Sequence, residues 1–460
     1  MHFTRRLLDP HRSALLIALS VLAASPAAVS CSSSDEPSNS PLADAGGDSA
    51  DVTDATDAAV DSSGRDSGVF DGKPLPVVCE SRPCAIELVT TLGKSVEDKD
   101  RGEGFCVLLD DGTVACWGAN RAGQLGRGEA EGEPLIDSST PAKVLGLSNI
   151  ASLDHTCAVD KSGGVWCWGT GPFSWTEDGG SASTTHTTPV KLDLPPVTKV
   201  ARSFETACAV IGGEVRCWGS NELAQLGPLS ETVTVAPVRV ALPQGPAVSS
   251  VELGNATFVL REDGSVVSWG GNPGIGRVSP SFPDPRPQLV ALTRVTQIDS
   301  AYDNTCAVAN GIGYCWGARV TPQKGTETDR ALPEPVAAPE PLVQIATTRS
   351  EGFLLVGEVA VRDFKPYRWC AVGGSGTLYC WGFNESGQAG SGDEEFVTRA
   401  VRVAGLPEEA KVAQVRTTVN TTCALLTTGK VYCWGSNYNG QLGNRLIRGE
   451  SSVPTEVVLP

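Results

Sequence analysis

The sequence predicts an all-β fold, a seven-bladed β-propeller of four-stranded blades preceded by a signal peptide and a disordered acidic linker. Three observations predict it. A Trp-Gly phrase preceded by Cys, or once by Ser, recurs seven times. The copies follow one another at a period that belongs to propellers and solenoids and not to one compact core. Inside every copy a Gly stands where two opposed positions force a hairpin to reverse.

The N-terminus reads as an address. Arg5, Arg6 and Arg12 form a basic start, an apolar run covers residues 14–24, and small residues lead to Ala28-Val29-Ser30-Cys31. The run is too short for a permanent membrane helix and has the flanks of an export signal. The last four residues resemble a lipobox, with Ala28 where many lipoboxes carry Leu. Residues 1–30 are therefore expected to be a lipoprotein signal peptide, with Cys31 the lipidated first residue of the mature chain. Ordinary cleavage nearby, leaving Cys31 as a spare thiol, is the alternative.

Residues 32–71 hold ten acids and one Arg among Ala, Ser, Thr and Gly. Such a stretch has almost no apolar surface to bury, so residues 31–72 are expected to form a disordered tether and residues 73–460 the propeller. Asp48, Asp51, Asp54, Asp57 and Asp61 lack the Gly and terminal Glu of a calcium loop. The formal charge of −17 argues against binding nucleic acid or anionic lipid, both polyanions. The expected link to the membrane is the lipid on Cys31 alone. The expected location is the cell envelope, exposed to the periplasm or the cell surface.

Cysteine spacing organises the body. Of fifteen Cys, twelve beyond Cys31 form six local pairs: Cys106/Cys116, Cys157/Cys167, Cys208/Cys217, Cys306/Cys315, Cys370/Cys380 and Cys423/Cys433. Cys79 and Cys84 lie together in the lead-in, and whether they pair with each other stays open. A seventh copy carries Phe258 and Ser268 in place of the two Cys. The first positions of successive copies lie 51, 51, 50, 48, 64 and 53 residues apart.

If each phrase is a hairpin with its Cys directly opposed, the turns follow. Five copies leave three-residue loops ending in Gly112, Gly163, Gly264, Gly376 and Gly429. Two leave the two-residue loops Gly212-Gly213 and Asn310-Gly311. Both classes need a left-handed residue at those places, which Gly supplies without steric cost. Counting outward from the turn puts each Cys pair at a non-hydrogen-bonded site, within disulfide reach. Cross-strand disulfides are expected in six blades, each worth about 2–3 kcal/mol in the chain-entropy account. Zinc prefers closer knuckles, and an exported chain favours disulfides.

Flanking segments complete each blade. An apolar strand precedes the hairpin, as in residues 144–151 and 197–201. A Pro-led strand follows it, starting at Pro141, Pro189, Pro237 or Pro454. The valine-rich strands alternate poorly, as they should when neighbouring blades cover both faces. Trp117, Trp168, Trp218, Trp269, Trp316, Trp381 and Trp434 recur once per repeat and read as blade-to-blade packing.

At these residues the chain resembles a known family. Cys116-Trp-Gly-Ala-Asn120 with Gly123-Gln-Leu-Gly126, and Cys433-Trp-Gly-Ser-Asn437 with Gly440-Gln-Leu-Gly443, are similar to the repeat of the regulator of chromosome condensation family. Gln225-Leu-Gly227 and Gly387-Gln-Ala-Gly390 are weaker copies. The resemblance covers residues 85–460 and departs at residues 270–276 and 317–321, where the Gly-Gln-Leu-Gly tail is lost. It implies a seven-bladed propeller and carries no catalytic residues. The family includes a nuclear exchange factor, a plant photoreceptor and a secreted bacterial β-lactamase inhibitor, so the fold does not fix the activity.

Catalytic chemistry is not legible. The two histidines beyond the signal, His155 and His186, have no nucleophile partner at readable spacing. Phosphate loops and metal-binding His patterns are missing from the sequence, and no cofactor is expected. The candidates for binding are three irregular stretches, residues 170–188, 319–341 and 350–369, since insertions on a repeat scaffold map to its faces. They supply Phe173, Trp175, Phe353, Phe364 and Tyr367 as candidate contact residues, with Trp369 assigned to the core. The expected function is a non-catalytic protein-binding or scaffold module at the envelope. The alternative is a glycan-binding or glycan-processing propeller with a loop-built site. Two carboxylates about 5–10 Å apart in the central channel would favour that alternative.

Overall fold

The computed structural model describes residues 70–92, 103–128, 134–175, 181–229, 235–320, 327–349, 351–356, 359–392 and 395–460. The signal peptide, Cys31 and residues 31–69 of the tether lie outside the described residues.

Seven four-stranded antiparallel sheets form the blades of a propeller, and no helix occurs among the described residues. Each blade runs in chain order. Blade 1, for example, is Ala85–Thr90, Gly104–Leu109, Val114–Gly118 and Ser138–Lys143. The first strands of the seven blades are Ala85–Thr90, Ile150–Asp154, Val197–Arg202, Val248–Leu253, Val295–Ala301, Leu342–Thr347 and Val412–Thr417. Each touches the next, and Val412–Thr417 touches Ala85–Thr90, so they close a ring around a central channel. The second strands are sealed on both sides: every residue of Gly104–Leu109 and Thr421–Leu426 is buried. That is why their Val and Leu do not alternate with polar residues.

The hairpin register is the one the cysteines imply. Cys106 faces Cys116 and Cys208 faces Cys217, and Phe258 faces Ser268 in the blade without a bridge. Six cross-strand disulfides join Cα atoms 4.0–4.1 Å apart. The third turn residues Gly112, Gly163, Gly264, Gly376 and Gly429 have φ between +76° and +85°. In the two-residue turns Gly212, Gly213, Asn310 and Gly311 all have positive φ. Cys79 and Cys84, left open above, form a seventh bridge.

Two strand assignments are corrected. Residues 144–149 connect blades, and the strand expected over 144–151 is Ile150–Asp154. The prolines do not lead the outer strands but sit inside them. Cys116 pairs with Ala142 and Gly118 with Ser138, so the pairing skips the bulged residues that include Pro141. Pro189, Pro237 and Pro454 occupy the same bulge. A residue without an N–H is tolerated there because the bulge asks for no ladder bond.

The core lies between blades. Cys116, Leu108 and Val114 of blade 1 pack with Trp168 and Leu153 of blade 2, and each later seam repeats the arrangement. Trp117, Trp168, Trp218, Trp269 and Trp434 are fully buried. The indole N–H of Trp168 donates to Gln124 O of the preceding blade at 2.9 Å, and Trp269 to Gln225 O at 2.7 Å. Trp117, Trp168, Trp218, Trp269 and Trp316, which each donate to a backbone carbonyl of the preceding blade, are thus both the apolar plug and the polar latch of their seams, whereas the buried Trp434 N–H has no partner among the described residues.

Candidate binding face

Antiparallel connection in chain order separates the two ends of the propeller. The tight hairpins between second and third strands share one end, here the turn face. Connections from first to second and from third to fourth strands share the other, the mouth face. Residues 170–188, 319–335 and 350–369 rise from the mouth face, while residues 336–341 run along the turn face, where Pro341 O accepts Gly374 N; the structure makes these stretches more regular than expected. Residues 170–188 belong to a long hairpin, Val165–Trp175 with Ser181–Lys191. Residues 319–341 contain the end of Ile312–Val320 paired with Glu327–Pro335. Residues 350–369 contain a separate two-stranded hairpin, Glu351–Val356 with Val359–Phe364.

A cavity of about 480 Å³ opens at this face where the first strands end. Its wall includes Asp154, His155, Arg202, Glu252, Asp299 and Arg416. Apart from His155, which was weighed only for catalysis, sequence reasoning missed these residues, and most of them tie the ring together. Glu87 accepts the Leu153 N–H of the next blade at 3.0 Å and Asp154 the Arg202 N–H at 2.7 Å. Gln297 serves Ile345 N, Asp299 serves Thr347 N, Gln344 serves Val415 N and Gln414 serves Leu88 N. A polar side chain between two apolar neighbours, as in Ile86-Glu87-Leu88 and Val343-Gln344-Ile345, was the available signal.

Carboxylates do meet in the channel. Burial first, then the charges of Asp154 and Asp299, push Glu252 well above the usual carboxyl range. Burial raises Asp299 and Glu87 as well, against the attraction of Arg416. Each of these carboxyls already accepts a backbone N–H from the next blade, Glu252 from Ser300. Their position is explained by ring closure. His155 Nδ1 lies 3.0 Å from both Thr90 O and Thr90 Oγ1. A carbonyl only accepts, so Nδ1 carries the proton and cannot act as a base toward the Thr90 hydroxyl. Burial lowers the His155 pKa and keeps the ring neutral.

The Asn and Gln of four outer turns act as templates. Asn120 Oδ1 accepts Leu125 N and Gln124 Oε1 accepts Ala122 N. Asn221/Gln225, Asn384/Gln388 and Asn437/Gln441 repeat both bonds. One residue pattern thus fixes one loop in four blades. The family model described as the regulator of chromosome condensation (RCC1) repeat matches residues 412–441, and a second of the same description matches residues 428–460. The end of the chain, residues 412–460, is similar to that repeat.

Similarity to other proteins extends beyond these residues. The ultraviolet-B receptor UVR8 of Arabidopsis thaliana is 29% identical over 375 residues, covering 78% of this chain and 81% of the receptor. The secretion-regulating guanine nucleotide exchange factor of Bos taurus is 27% identical over 288 residues, 53% of this chain and 60% of that protein. Yeast RCC1 (Prp20), solved bound to Kap60, shares the fold with a TM-score of 0.58 and 21% identity over 75% of this chain and 83% of that one. Where the repeat's tail is lost, other bonds hold the turn. In blade 4 Arg277 pairs with Asp284 at 2.6 Å and donates to Ser268 O and Arg286 O. In blade 5 the turn is replaced by the long hairpin. The Gly of Trp-Gly is also explained. Gly118, Gly219, Gly270, Gly317, Gly382 and Gly435 have φ from +101° to +110°, and a Cβ on Gly118 would lie 2.6 Å from Glu103 O.

The candidate contact residues fare differently. Phe173, expected as a contact residue, is instead 6% exposed, packed in the seam between blades 2 and 3 under the Arg202 guanidinium at 5.1 Å. Tyr367 is half-buried and stacked on Trp369 at 4.3 Å, with Arg319 lying 5.4 Å from its ring and 4.9 Å from that of Trp369. Trp369 is core as expected. Trp175 ends its strand, and Phe353 and Phe364 lie in the inserted hairpin, all three on the mouth face. Their side chains are outside the described residues.

Proposed function

We propose that this propeller is a non-catalytic protein-binding module, exported, cleaved before Cys31 and held at the cell envelope by lipid on that residue. The observation that carries the binding reading is the asymmetry of the two faces. Three hairpins rise on the mouth face, where the channel cavity also opens, whereas the turn face carries two- and three-residue turns, the connections between blades and a second cavity beside the blade 6 turn at residues 375–378 and 402–412. Mounting variable hairpins on a rigid ring is how repeat scaffolds present a binding surface. The yeast relative is bound to another protein, Kap60, in its solved structure, which supports a protein partner here. The non-catalytic reading rests on the channel carboxyls being engaged by neighbouring blades.

The test is a cross-linked pull-down with residues 70–460. Wild type is compared with Trp175→Ala, with the 351–364 hairpin shortened to a turn, and with a short insertion between Gly212 and Gly213 on the turn face. Partners are expected to be lost with the first two changes and kept with the third. Equal recovery with all four proteins overturns the reading. A second reading, a glycan ligand at the channel mouth, is favoured by the charged side chains in the cavity wall, such as Arg202 and Arg416, and by its size, which falls within the range of about 300–1,000 Å³ for ligand sites. Thr417 lies in the cavity wall, so calorimetry with envelope glycan fragments separates the two: heat that is lost in Thr417→Val with protein capture intact would select the glycan.

A further inference from the structure

The outer turn of blade 4 departs from the repeat in what it shows to solvent. In the regular turns the apolar residue ahead of the last Gly is buried, as Leu125, Leu226 and Leu442 are. Ile275 fills that place in blade 4 and is fully buried in the cluster that holds Trp316 of blade 5. The packing need of the turn is met there, yet the loop goes on to carry Val278 and Phe282, which are 75% and 76% exposed. Among the described residues no other large apolar side chain is as exposed. Leu229 in the outer turn of blade 3 and Leu332 in the outer strand of blade 5 are exposed on the two neighbouring blades.

The loop that holds Phe282 is braced. Arg277 pairs with Asp284 at 2.6 Å, Ser279 Oγ donates to Asp284 Oδ2 at 2.7 Å, and Asn272 Nδ2 donates to Ser279 O and Ser281 O. Trp316 Nε1 donates to Gly274 O at 2.7 Å, and Pro280 and Pro283 fix two further backbone angles. A buried ion pair costs desolvation, and in blades 3 and 7 the neutral pairs Asn221/Gln225 and Asn437/Gln441 shape the corresponding turn. What the pair secures in blade 4 is the shape of the longer loop. Phe282 is thus an apolar knob held still in water, which lowers the ordering cost of docking. Arg286, four residues further on, is exposed, and none of the described residues forms an ion pair with its guanidinium.

We propose that residues 276–286 are a preformed contact site for another protein, with Phe282 entering an apolar pocket on that protein and Arg286 meeting a carboxylate at the pocket's edge. The proposal rests on the protein-binding reading of the mouth face, where this loop joins the third strand of blade 4 to the fourth. An exposed aromatic ring close in sequence to an unpaired guanidinium is the chemistry of interface hot spots. A fixed shape gains little against lipid, which is fluid, so the bracing points to a partner with a shape of its own. A second copy of the chain would set a formal charge of −17 against the same charge.

The test places the photo-crosslinker p-benzoylphenylalanine at position 282 of the full-length protein in the producing cell, and in a second protein at Leu289, which is exposed at the turn-face end of the strand that follows, Asp284–Leu289. Adducts are identified by mass spectrometry. The expected result is one protein joined to position 282 and not to position 289, through a residue beside an Asp or Glu. With that protein purified, Phe282→Ala should weaken binding at least about 30-fold. Arg286→Glu should weaken it more at low salt than at high salt, and both variants should melt like wild type. Adducts to lipid or to a second copy, equal adducts from positions 282 and 289, or full-strength binding by Phe282→Ala overturn the proposal. The same crosslinker at Trp175 separates the two readings. Adducts at 175 with none at 282 overturn this site and leave the mouth-face reading standing, and adducts at neither position overturn both.

Discussion

At the scale of single residues, polar side chains are buried where they join blades, and this makes stability depend on pH. A carboxyl whose pKa is raised by folding favours the folded state fully below its ordinary value, and that contribution is lost as pH rises through the folded value. Glu252 is such a group, raised from 4.5. His155 has the opposite sign: lowered from 6.5, it costs stability as pH falls below that value. Glu252→Gln keeps an acceptor for Ser300 N without the charge. Its melting temperature should therefore fall less than that of wild type between pH 5 and pH 8, and parallel curves would show that Glu252 carries no such penalty. Trp269 is plug and latch of the seam between blades 3 and 4, where the Gln225 carbonyl accepts its N–H. Denaturant unfolding of Trp269→Ala should show a loss of about 3–5 kcal/mol. The recurrence of Trp was legible, but the latch was not, because its acceptor is a backbone carbonyl some forty residues earlier in the chain.

At the scale of elements, turn chemistry was the most legible feature. Opposed half-cystines set a register, and the register decided where Gly had to stand. The turns are not equally crowded, however. A Cβ on Gly264 would lie 2.6 Å from the Arg294 Cα, whereas one on Gly212 meets nothing within 4 Å. Both positions have positive φ, so each Ala substitution costs about 1–2 kcal/mol in backbone strain. Gly264→Ala should cost clearly more than Gly212→Ala by thermal unfolding, and equal costs would contradict the crowding. The outer strands were less legible. Pro141, Pro189, Pro237 and Pro454 mark bulges, and a bulge shifts the pairing in a way that apolar alternation does not announce. The long hairpins were misread as irregular because Ser-, Thr- and Pro-rich stretches such as residues 181–191 and 327–335 look like loop until a partner strand is known.

At the scale of the whole molecule, the ring has to be closed without a shared blade. Blade 1 comes entirely from the start of the body and blade 7 from its end. Glu103 of blade 1 fastens this seam, accepting from Thr418 and Thr421 hydroxyls at 2.6 and 3.0 Å and from Asn420 N at 2.9 Å. Truncating it strands several buried donors, so Glu103→Ala should destabilise by about 3–5 kcal/mol while Glu103→Gln recovers part of the loss. Loss no greater than at an exposed acid such as Glu262 would show that closure does not depend on it. The period, the blade count and the hairpins were visible in the chain. The channel mouth was not, because its wall draws on every blade and no local spacing records which first-strand side chains meet across the axis. The account depends most on the staples that hold each blade in register. Peptide mapping of unreduced, alkylated protein tests them directly. The account predicts linked peptides joining Cys106 to Cys116, Cys157 to Cys167, Cys208 to Cys217, Cys306 to Cys315, Cys370 to Cys380 and Cys423 to Cys433. Peptides linked between different repeats, or alkylated thiols at those positions, would contradict it.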